Sequence, residues 1–83
     1  GLVMTRDAIY EKLTVIFRDI FDDEDIEIND NTTARDIEDW DSLEQINLLV
    51  AMENEFGIKI PLAEVSKLEN VGQMVDLVAK LIG

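Results

Sequence analysis

No cysteine and no histidine occur among the 83 residues. Without cysteine there is neither a disulfide framework nor a thiolate metal site, and any thiol the protein uses has to be added to it. Without histidine the usual base for an activated serine and the commonest nitrogen ligand for zinc are both missing, which argues against serine-hydrolase chemistry. The four glycines are scattered at positions 1, 57, 72 and 83, so neither a Gly-x-Ser-x-Gly elbow nor a phosphate-cradling loop can be drawn, and nucleotide catalysis has no support. The longest apolar run, Leu48 to Met52, is far too short to span a bilayer. The N-terminus also lacks the charged-then-apolar layout of a signal peptide, so a cytoplasmic protein is expected. Gly1 to Val3, which precede Met4, read as a cleavage scar from expression and are given no role.

Cations are scarce as well: seven Lys and Arg stand against nineteen Asp and Glu, a formal net charge of −12. A field of that sign repels phosphate backbones and anionic lipid, so neither nucleic acid nor membrane insertion is expected. It favours basic patches on other proteins. Hydrophobic residues make up 47% of the chain, enough to bury a core and avoid the composition of disordered segments. The length allows one domain, and no Gly-, Pro- or Ser-rich linker divides it. With only five aromatics, the core must come mostly from Leu, Ile and Val on amphipathic helices.

Ile9, Leu13, Ile16, Phe17 and Ile20 recur at helical spacing, with Thr5 as N-cap and Asp7 in the first turn. Phe21 to Asp41 has no sustained period and reads as a long ordered loop, pinned by Ile26, Ile28, Ile37 and Trp40. The alternation at Ile26 and Ile28 hints at a strand, and Thr33 to Ile37 at a helical turn. Asp41 or Ser42 opens a second helix, whose main apolar stripe is expected at Leu43, Ile46, Leu49, Val50 and Phe56, and which Gly57 stops. Beyond Pro61, Leu62 to Leu68 reads as a short helix. Asn70 caps a last helix bearing Val71, Met74, Val75, Val78, Leu81 and Ile82, with Gln73 completing a capping box. The expected fold is all-α, a four-helix bundle with three longer helices, one short third helix and a long loop between the first two.

The acidic run from Asp22 to Asp25, continued by Glu27, Asn29 and Asp30, invites a calcium reading. Counted from Asp25, however, position 6 is Asp30 where a calcium loop needs glycine, and position 12 is Asp36 where it needs glutamate. A solvated acidic loop is the simpler reading, and no metal site is expected. Ser42 fits a Ser-x-x-Gln capping box with Gln45, and Asp41 with Glu44 offers the same arrangement one residue earlier. Taken alone, capping explains Ser42. A serine at the positive end of a helix is also apt for a phosphodiester, which would meet backbone N–H groups there. Ser66 has no comparable surroundings.

At Asp39-Trp40-Asp41-Ser42-Leu43-Glu44 the sequence resembles the acyl carrier and peptidyl carrier protein superfamily, whose modified serine lies in an Asp-Ser-Leu motif. The likeness continues from Leu48-Leu49-Val50-Ala51-Met52 through Glu53-Asn54-Glu55-Phe56-Gly57 to Ile58-Lys59-Ile60-Pro61. More loosely it covers the whole chain, making residues 4–83 an acyl-carrier-type domain. The resemblance implies a monomeric, non-catalytic carrier. It implies that a phosphopantetheinyl transferase moves 4′-phosphopantetheine from coenzyme A to Ser42, flanked by Asp41 and Leu43. The arm would then deliver acyl thioesters to acyl-loading and acyl-processing enzymes with basic patches. It also implies docking on the second helix through Glu44, Glu53 and Glu55, with Ile46 and Val50 as an apolar spot. Asn47 and Asn54 replace acids common in the fatty-acid branch, and Trp40 resembles carriers of specialised pathways. A polyketide, modified-lipid or aminoacyl/peptidyl pathway is therefore favoured over housekeeping fatty acid synthesis. The competing reading is a non-covalent acidic module that binds basic proteins, with Ser42 only a cap.

Overall fold

The computed structural model describes residues 4–83, so the expectation about Gly1 to Val3 lies outside the described residues. Four α-helices follow in order: α1 (Arg6–Ile20), α2 (Ser42–Phe56), α3 (Leu62–Val65) and α4 (Val71–Ile82), with a 3-10 turn at Ala34–Asp36. No strand occurs among the described residues, so Ile26 and Ile28 lie in irregular loop.

α1, α2 and α4 each begin where a side chain accepts an orphan N–H, whereas α3, which follows Pro61, has no side-chain cap. Thr5 accepts from the Ala8 N–H at 3.1 Å and Asn70 from the Gln73 N–H at 2.8 Å. Gln73 does not close a box on Asn70; its Oε1 accepts from the N–H of Glu69, one residue earlier. α1 ends with Asp22 at φ 49 and the Asp23 N–H donating back to the Arg18 carbonyl, while α2 ends on Gly57 at φ 64, with Ile58 donating to Glu53. These are left-handed helix stops, costly for most side chains and easy for glycine. α3 stops at Val65, short of the expected Leu68. The Ser66 hydroxyl donates to the Ala63 carbonyl, and the Lys67 and Leu68 N–H groups reach back only three residues, tightening the chain out of α geometry.

The core joins Ile9, Leu13, Phe17 and Phe21 from the α1 side to Leu48 and Met52 of α2 and Val71, Met74, Val75 and Val78 of α4. The inner line of α2 differs from the expected stripe. Leu48 and Met52 are fully buried, whereas Leu43, Ile46 and Val50 face out. α2 carries apolar side chains on two sides, and periodicity alone does not say which side meets α1 and α4.

The long loop is ordered by its own bonds. The Arg18 guanidinium donates to the Ile26 carbonyl at 2.9 Å, Thr33 and Asp36 form a capping box, and Ile26, Ile28, Ile37 and Trp40 pack on the core. Its middle is tied to α4: Val71 donates to the Thr32 carbonyl at 2.8 Å and Gly72 to the Asp30 carbonyl at 3.2 Å. Beside this seam, Arg6 pairs with both Asp30 and Asp76, and the Tyr10 hydroxyl donates to Asp30. Burial, then that hydrogen bond and the carboxylate's charge, push the Tyr10 hydroxyl up to about 12.

Candidate functional site

Ser42 is the first residue of α2 and is exposed. The cap belongs to its neighbour. Asp41 sits in extended backbone and its carboxylate accepts from the Glu44 N–H at 2.9 Å, while its carbonyl takes the Gln45 N–H. The capping explanation for Ser42 is therefore overturned. Among the described residues, the Ser42 hydroxyl and the N–H groups of Ser42 and Leu43 take part in no hydrogen bond. An exposed hydroxyl and two unclaimed donors thus stand together at the positive end of a 15-residue helix, an arrangement that fits a phosphodiester bonded to that oxygen.

Trp40 holds this turn to the core. Its ring lies 5.2 Å from Phe17, edge to face, and 6.3 Å from Phe21, and its indole N–H donates to the Gln45 side-chain carbonyl at 2.6 Å. Gln45, read from sequence as a capping-box partner, instead braces Trp40 across the start of α2. No local pattern signals that bond, because it depends on how the loop folds back. Beside Ser42 a cleft of about 410 Å³ opens, lined by apolar Trp40, Leu68 and Met74 and by polar Asp41, Gln45 and Asn70.

The other expected site residues do not gather on one face. Glu44 and Glu53 are nine residues apart, roughly 180° around the helix at 3.6 residues per turn. Glu55 returns to the flank of Glu44 and pairs with Lys12 of α1 at 3.1 Å. Glu53, half-buried, accepts from the Ile60 N–H at 2.8 Å, and Glu44 accepts from the Asn47 amide at 2.6 Å. Between these flanks, Leu43, Ile46 and Val50 are exposed. Among the described residues no group of three or more Asp or Glu is placed to hold a metal ion, the acidic loop included. No helix is long and apolar enough to cross a membrane.

A model of the phosphopantetheine attachment site family matches residues 11–78, the stretch that contains Ser42 and all of α2. The chain belongs to that family. This carrier is similar to the acyl carrier protein of Petrotoga mobilis, at 34% identity over 93% of the chain and 91% of the relative. It is also similar to that of Borreliella burgdorferi, at 35% identity over 96% of the chain and all of the relative. Its fold matches a holo acyl carrier protein solved in solution from Geobacter metallireducens, with a TM-score of 0.83 and 46% identity over 88% of this chain and 84% of the other. The chain is an acyl-carrier-type protein of helical fold; its prosthetic group is covalent 4′-phosphopantetheine, and it carries rather than catalyses.

Proposed function

We propose that Ser42 Oγ is the point at which 4′-phosphopantetheine is attached, and that the chain is a monomeric cytoplasmic carrier of acyl intermediates. The observation that carries this reading is the division of labour at the start of α2. Asp41 caps the helix, leaving the Ser42 hydroxyl and the first two N–H groups uncommitted and exposed. Leu43 N–H and Ser42 N–H would meet the phosphate, and Trp40 with Gln45 would hold the turn still while an enzyme works on it. The arm supplies a terminal thiol on which acyl groups are held as thioesters, the thiol that a cysteine-free chain cannot supply itself.

A phosphopantetheinyl transferase would load the arm from coenzyme A, and acyl-loading and acyl-processing enzymes would then approach over α2. Ile46 and Val50 would lie at the centre of that surface, with Glu44, Glu53 and Glu55 at its margins. Asn47 and Asn54 lie exposed on the same helix at positions where the fatty-acid branch commonly carries acids, which supports a specialised polyketide, lipid or aminoacyl pathway. The test is intact-protein mass spectrometry of the parent and Ser42→Ala after incubation with coenzyme A and a broad-specificity phosphopantetheinyl transferase. The expected result is a gain of one phosphopantetheine in the parent alone. Failure of the folded, initially unmodified parent to gain mass, or loading of Ser42→Ala, would overturn the assignment.

A further inference from the structure

Trp40 lines the cleft of about 410 Å³ beside Ser42 and at the same time seats its ring on the fully buried Phe17, edge to face, with centroids 5.2 Å apart. Phe21 stands 6.3 Å away, so the indole lies between the cleft and the aromatic end of the core. The ring is pinned on a second side as well. Its N–H donates to the Gln45 side-chain carbonyl at 2.6 Å, which ties it to the first turn of α2. Met74, itself buried, completes the floor of the cleft. The mouth has a different character: Asp41 and Glu69, both exposed, bring carboxylates to it.

We propose that Trp40 determines which acyl groups this protein can shelter: it closes the bundle interior to alkyl chains, so that the carried group stays in the cleft or in solvent. The inference rests on Ser42 as the attachment point. It names the cargo class that follows, which is short acyl groups, or ones whose hydroxyl or amine substituents need no apolar cover. A group tethered at Ser42 and folding back meets the cleft first. To go deeper, an alkyl chain has to lift the indole off Phe17 and part its N–H from Gln45. That leaves a donor and an acceptor facing hydrocarbon, which satisfies neither. Staying in the cleft gives such a chain little, because the carboxylates of Asp41 and Glu69 keep water at the mouth. A hydroxyl or an amine is well placed there, since each can donate to those carboxylates.

The experiment loads the parent and Trp40→Ala with butyryl-, octanoyl- and dodecanoyl-phosphopantetheine from the corresponding acyl-coenzyme A, using a broad-specificity phosphopantetheinyl transferase. It then measures the half-life of each thioester toward hydroxylamine. In the parent the half-life should be the same for all three chains. In Trp40→Ala, whose lost ring leaves an apolar space against Phe17 and Phe21, the dodecanoyl thioester should outlast the butyryl one by about tenfold or more, a gain that burial of about two methylene groups would supply. Trp40→Leu, a smaller truncation, serves the same comparison where the alanine variant loses its helical content. Half-lives that lengthen with the chain in the parent would overturn the proposal, whether or not a variant folds. Flat half-lives in a folded Trp40 variant would overturn it too. No gain of mass in the folded, initially unmodified parent would instead overturn the assignment of Ser42.

Discussion

Tyr10 shows how a single side chain can set a pH limit without touching the functional site. Its hydroxyl, held against Asp30, loses its proton only at about 12, above the ordinary value of 10.0. Because the folded state keeps the proton longer, the contribution is fully present below pH 10 and is lost as pH rises toward 12. Thermal melts of the parent should therefore fall through that window more steeply than those of Tyr10→Phe, which has no proton to lose; parallel curves would show that the contact is irrelevant. At this scale the sequence disclosed only part of the site. The Asp-Ser-Leu motif marked Ser42, but capping logic could not choose between Asp41 and Ser42, since both have a polar residue three positions on. Backbone geometry chose, by placing Asp41 in the extended conformation that a cap requires. Pairs distant in sequence, such as Glu55 with Lys12 and Arg6 with Asp30 and Asp76, leave no local trace.

Among the elements, the long loop and α4 are coupled by a close backbone approach. A Cβ placed on Gly72 would come within 2.9 Å of both the Cβ and the carbonyl oxygen of Asp30. Alanine is the better helix former by about 1 kcal/mol, but the clash should cost about 1–3 kcal/mol and decide the sign. Gly72→Ala should thus lower stability in chemical denaturation and weaken hydrogen-exchange protection at the Val71 and Gly72 amides. Unchanged stability would mean that the loop can move aside freely. The start of α1, the end of α2 and the start of α4 were the legible part of the fold, because Thr5, Gly57 and Asn70 act on their immediate neighbours, whereas the end of α3 was not. The facing of α2 was not: Leu48 and Met52 turn inward because α1 and α4 offer Leu13, Phe17 and Val75 to cover them, a fact about the assembled bundle.

For the whole molecule, charge opposes compaction. Nineteen acidic side chains share 83 residues with only seven basic ones, and the three ion pairs observed are partly exposed. Salt weakens such pairs, but each contributes at most about 1 kcal/mol. Raising salt from low concentration to 1 M shortens the screening length to about 3 Å and relieves repulsion over the entire surface. Repulsion should win, so the melting temperature should rise with salt, by about 4–8 °C for each 1 kcal/mol relieved. A flat or falling response would show that the ion pairs matter more than the net charge. Trp40 has a use of its own at this scale. It is the protein's one tryptophan, packed edge to face on Phe17 in the core and hydrogen-bonded to the first turn of α2. Its fluorescence therefore looks both ways, toward the integrity of the bundle and toward events two residues along the chain, and gives the protein an optical reporter that needs no label.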